Sequence, residues 1–61
     1  MFFTVVSKRT KGNSDIYVLE RVYGSMTVIL QTPRGQKNWV EGQVVNVMPE
    51  DLLSDKVTLL E

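Results

Sequence analysis

Met26, Val28 and Leu30 alternate with Thr27 and Gln31 along one stretch of the chain. This is the period of two that sends side chains to opposite faces of a strand. The pattern predicts a half-buried strand from about Met26 to Thr32. Four further segments read the same way: Phe2 to Lys8, Ile16 to Tyr23, Asn38 to Val47, and a short last piece from Val57 to Leu60.

Turn residues separate these pieces. Lys11-Gly12-Asn13-Ser14-Asp15 ends the first strand in a mobile loop, because glycine and asparagine tolerate positive φ while serine and aspartate bond nearby backbone. Gly24-Ser25 suits a two-residue type II′ hairpin with glycine at the first central position. Pro33-Arg34-Gly35 supplies another turn, with proline at its first central position. Gly42 lies inside the fourth segment, where a missing side chain marks a bulge or a sharp bend. Pro49-Glu50-Asp51-Leu52-Leu53 predicts one helical turn, with proline at the first helical position and acids where the helix dipole favours them.

A four-strand meander, one helical turn and a closing strand is the order of a small five-stranded SH3-like barrel, an all-β domain over residues 1–61. The competing fold is a four-stranded antiparallel sheet with a C-terminal helix, since Leu53, Val57 and Leu60 fall close to a helical stripe. Ser54, Val57 and Thr58 are indifferent helix formers, which favours the strand.

Composition supports the all-β reading: alanine is absent, while the β-branched residues valine, isoleucine and threonine, which fit a pleated surface, together make up 17 of the 61 residues. A 61-residue chain forms one domain and buries only about 60% of its unfolded surface, so its stability is marginal. With no cysteine and no histidine, disulfides, thiolate metal sites and the commonest general base are all missing. The expectation is a cytoplasmic protein without cofactor or metal. The apolar runs are far short of the roughly 20 residues of a membrane-spanning helix, and the apolar start reads as a first strand, not a signal peptide.

Catalysis is not expected either. No carboxylate pair is suggested by spacing, Ser14, Ser25 and Ser54 sit at turn positions, and Gly35 to Lys37 lacks the glycine spacing of a phosphate loop.

Seven basic and seven acidic residues cancel, so any electrostatic role depends on placement. In an up-and-down sheet the loops after the first and third strands share one end, which gathers Lys8, Arg9, Lys11, Arg34 and Lys37. Glu50, Asp51 and Asp55 then mark the opposite end. Trp39 follows the basic turn, and cations beside an aromatic are how single-strand nucleic-acid binders combine phosphate attraction with stacking. Against this, charged loop tips also serve solubility, and a lone tryptophan in a small domain is usually a core residue.

Large apolar residues point elsewhere. Phe2 and Phe3 cannot both enter one core, because neighbours in a strand face opposite ways. An outward apolar set makes an interaction surface. The preferred reading is therefore a protein-binding regulatory module, such as an inhibitor or accessory subunit of a larger protein. Phe2, Tyr17, Tyr23 and Trp39 are its expected aromatic contacts, with Arg34 and Lys37 adding orientation. The alternative is a single-stranded nucleic-acid binder that uses Lys8, Arg9, Lys11, Arg34, Lys37 and Trp39. A purely structural subunit is the third reading, and a second copy pairing along Met1 to Ser7 would also relieve the small core.

Overall fold

A computed structural model describes residues 1–48 and the backbone of Val57–Leu60. The strands are β1 (Phe2–Lys11), β2 (Ser14–Arg21), β3 (Thr27–Pro33), β4 (Val44–Asn46) and β5 (Val57–Leu60). They form one antiparallel sheet in the order β4-β1-β2-β3-β5, curled into a half-barrel. Among the described residues no helix is long and apolar enough to cross a membrane.

Alternation decides which side of the sheet becomes core. Phe3 and Val5 of β1, Tyr17 and Leu19 of β2, Val28 and Leu30 of β3, and Val45 of β4 are all buried. They point to the concave side and pack together with Val47. Met1, Met26 and Trp39 close over this cluster from its margins. Their neighbours in sequence, including Phe2, Thr4, Ile16, Val18, Ile29 and Val44, lie toward the convex side with partial or full exposure.

Several expectations are corrected. The first strand runs on to Lys11, and Lys11 pairs with Ser14 across a two-residue turn, Gly12-Asn13, in place of a mobile loop. Gly12 has φ of 61° at the first central position, the site where hairpin turns of the II′ kind require glycine. The turn expected at Gly24-Ser25 is instead a four-residue loop over 22–25, closed by the Arg21 amide donating to the Met26 carbonyl at 2.8 Å. Strand β2 therefore stops at Arg21, short of Tyr23.

The segment from Asn38 to Val47 is not one strand either. Only Val44–Asn46 pairs in the sheet, and it pairs with β1, so the first three strands form a meander and the fourth crosses to the far edge. Gly42 sits in a turn, where the Gln43 amide donates to the Val40 carbonyl at 3.2 Å and the Gln43 side chain accepts the Val40 amide at 3.1 Å. The Gly42 amide then donates to the Val5 carbonyl at 2.8 Å, which ties this turn to β1. Pro33 is the last residue of β3, not the first central residue of the next turn; Arg34 and Gly35 take the central positions, closed by the Gln36 amide on the Pro33 carbonyl at 3.1 Å.

The predicted helical turn at residues 49–53 lies outside the described residues. Val57–Leu60 is a strand on β3, in place of the competing helix over that stretch. No β4–β5 pairing occurs among the described residues, so the strand pairing leaves the sheet an open half-barrel.

One irregularity positions chemistry. Val5 pairs with Leu19 and Ser7 with Val18, which leaves Val6 as an extra residue in β1. Such a bulge shifts the alternation by one place. Before it, odd-numbered residues of β1 face the core; after it, Lys8 pairs with Tyr17 and Thr10 with Asp15 on that same face. Without the bulge, Arg9 would take the concave position and Lys8 the convex one.

Candidate functional site at the two ends of the sheet

The turn after β1 and the turn after β3 meet, as the up-and-down reading requires: the Arg34 amide donates to the Asn13 carbonyl at 2.9 Å. Asp15 braces this junction. The residue is 3% exposed, and its carboxylate accepts from the Gly35 amide and the Thr10 hydroxyl, each at 2.9 Å. The Gly35 and Thr10 hydrogen bonds, aided by the charges of Lys8 and Arg34, outweigh burial and hold its pKa below the ordinary value.

The sign of the consequence follows. A carboxylate with a depressed folded pKa adds stability that is complete above its unfolded value and is lost as pH falls through the folded one. Denaturant unfolding followed between pH 6 and pH 2.5 should show stability declining below about pH 4. In Asp15→Asn the decline should be shallower, and equal slopes would show that Asp15 is not a source of the acid sensitivity.

Beside this junction the aromatic rings of Tyr17 and Trp39 meet at 5.1 Å between centroids, tilted by 59°. The Tyr17 hydroxyl accepts the Trp39 amide at 3.2 Å, so the loop carrying Trp39 is pinned to the core by a side chain of β2. Asn38 takes a left-handed backbone conformation, φ 55°, which asparagine tolerates better than most residues, and this bends the chain just before Trp39. The Lys8 ammonium lies 5.7 Å from the Tyr17 ring centroid and the Lys37 ammonium 5.5 Å from that of Trp39. Each contact contributes only about 0.5–1 kcal/mol where water has access, so the lysines are placed over the rings without being locked there.

Lys8, Arg9, Lys11 and Arg34 are exposed and Lys37 is half-buried. Lys8, Arg9 and Lys11 lead into the first turn, Arg34 is bonded to that turn, and Lys37 lies over Trp39, so the five share one cationic end. The expected acidic group at the other end, Glu50, Asp51 and Asp55, lies outside the described residues. Among the described residues there is no group of histidine, cysteine, aspartate or glutamate that could hold a metal.

What the described residues place at the other end is apolar surface. Phe2 is 52% exposed and Tyr23 77%, with Val22 and Met48 also exposed. The Val22 amide donates to the Phe2 carbonyl at 3.0 Å and the Val47 amide to the Met1 carbonyl at 2.7 Å, which brings the 22–25 loop and the Val47-Met48 segment to either side of the N-terminus. Exposed Val44 shares the convex face with Phe2 one strand away. Glu20 and Arg21 border the group with opposite charges.

The residues read from the sequence as one partner site are therefore divided. Phe2 and Tyr23 lie at the apolar end, and Arg34, Lys37 and Trp39 at the cationic end. Tyr17, with 0% exposure, is a core residue that supports Trp39 and has no ring surface to offer a partner. The burial follows from alternation with Leu19, both facing the concave side. Val22, Met48 and Val44 were not anticipated. Val44 was legible as the outward neighbour of Val45, but the other two depend on where loops close.

The molecule thus belongs to the class of small curled antiparallel sheets with chemically opposed ends. No protein-family model matches the chain, and no curated protein or solved structure is significantly similar to it.

Proposed function

We propose that this protein is a small protein-binding regulatory module, an inhibitor or accessory subunit that docks on a larger protein through its apolar end. The observation that carries this reading is the gathering of Phe2, Val22, Tyr23 and Met48 at one end, with Val44 beside them. Single exposed apolar residues are ordinary, but several brought to one end of a small sheet are what recognition surfaces present. Phe2 and Tyr23 are the anchors, since aromatic side chains dominate the energetics of such surfaces. The framework is an SH3-like barrel variant whose two short strands flank the β1-β2-β3 meander, and a cysteine-free chain suits the cytoplasm.

The test compares wild type with Phe2→Ser/Tyr23→Ser as immobilised bait in a nuclease-treated lysate of the source cells, with sedimentation equilibrium run on both. The expected result is a stoichiometric protein retained by wild type, reduced at least tenfold by the double substitution and unaffected by Lys8→Ala/Lys37→Ala. Reversible dimerisation of wild type that the double substitution abolishes would replace the larger partner by a second copy. Equal retention by both baits would overturn the assignment of the apolar end.

A further inference from the structure

The cationic end has a separate chemistry. Strand β1 delivers Lys8 to the concave side and Arg9 and Lys11 to the convex side, because the bulge at Val6 resets the alternation. Arg34 and Lys37 arrive from the connection after β3, joined to the first turn by the hydrogen bond from Arg34 to Asn13. Cations therefore line both faces of one rim. Among the described residues none of the five forms an ion pair within 4.0 Å, and the nearby carboxylate, Asp15, is engaged by Gly35 and Thr10. Half-buried Trp39 lies beside this rim, held by Tyr17, with Lys37 over its ring.

We propose that this rim binds single-stranded nucleic acid. The five cations follow the sugar–phosphate backbone, and one base stacks on the Trp39 face that Lys37 covers in the free protein. The Lys37 contact is weak and its stem flexible, so the ammonium can leave the ring for a phosphate as a base takes its place. A polyanion without bases would engage the cations and leave Trp39 unused, while a duplex keeps its bases stacked on each other; only an unpaired base matches the juxtaposition of cation and aromatic face. The site is distinct from the apolar end, so the protein carries two surfaces with different partners.

The experiment titrates the full chain with dT15 and rU15 oligonucleotides, reading Trp39 emission and the anisotropy of a labelled oligonucleotide, at 20 mM and 150 mM salt. Expected is saturable quenching of Trp39 with affinity that falls with salt. With three to five phosphates contacted, the logarithmic slope should lie near about −2 to −3.5, at roughly −0.7 per phosphate on a single strand. Lys8→Ala and Lys37→Ala should each weaken binding severalfold and flatten the slope by about 0.7. Trp39→Phe, which keeps a ring over Tyr17, should weaken binding without changing the slope.

Phe2→Ser/Tyr23→Ser should bind the oligonucleotide as wild type does, so failure here and failure of the protein-binding reading are separable. No binding at 20 mM salt would overturn the proposal. So would equal affinity for a duplex or for polyglutamate without Trp39 quenching, since either would reduce the rim to a general anion-attracting surface.

Discussion

Phe3→Ala should remove a third or more of the protein's stability, while Phe2→Ala, one residue away, should leave its stability within about 1 kcal/mol of wild type. Phe3 is fully buried at 0% exposure, packed with the core of the half-barrel, whereas Phe2 is 52% exposed on the other face of the same strand. Truncating a buried phenylalanine to alanine costs about 3–5 kcal/mol, the sum of lost transfer energy and the cavity left behind. A domain of this length has roughly 3–9 kcal/mol of total stability. The first substitution therefore removes a third of the reserve at the least, and the melting midpoint should fall by more than about 12 °C. Circular dichroism melts of the two variants give the comparison directly. If the two lose equal stability, the assignment of faces along β1 is wrong.

A second large effect should appear at Tyr17, where two substitutions separate ring from hydroxyl. Tyr17→Ala empties the middle of the concave face and takes away the ring against which Trp39 and Lys8 rest, for an expected loss of about 3–5 kcal/mol. Tyr17→Phe keeps the packing and removes only the acceptor of the Trp39 amide, for about 0.5–1.5 kcal/mol. The informative readout is Trp39 fluorescence in the folded state. In Tyr17→Phe the emission should shift to the red and become more accessible to a neutral quencher, because the loop from Gln36 to Val40 loses its tether to β2. An unchanged spectrum with the full stability loss would mean that the hydroxyl acts elsewhere.

These two residues also show how far local pattern carries. Adjacent strand residues cannot enter the same core, so Phe2 and Phe3 had to face opposite ways, and the expected outward one, Phe2, is the exposed one. The structure makes Phe3 inward because it shares a face with Val5, Tyr17 and Leu19. Tyr17 shows the opposite outcome. An aromatic with a polar end reads equally well as a surface anchor or as a core residue, and only its register opposite Leu30 and Lys8 places it inside.

Turn positions were legible and turn geometry was not. Glycine marked each reversal, yet the tight two-residue turn formed at Gly12-Asn13, and the loop at Gly24 took four residues. Loop length depends on where the flanking strands stop pairing, and that is decided by partners far away in sequence. The same reason explains the fourth segment. Its composition is compatible with ten residues of strand, but only three find a neighbour, because β1 offers a free edge there and β3 does not.

By itself, the sequence determined the all-β class, the first three strands of an expected four-strand meander, the core residues of β3, and the meeting of two basic turns at one end. All of these follow from interactions between near neighbours: the period of two, the φ freedom of glycine, and the direction reversal of a hairpin. Tertiary structure alone decided that Lys8 and not Arg9 joins Tyr17, that β4 lies beside β1, and that Phe2, Val22, Tyr23 and Met48 come together. A one-residue bulge and a strand crossing act over the whole sheet and leave no periodic trace in the chain. The physical reason is that register is a property of two strands at once, set by which pairing buries the more apolar surface.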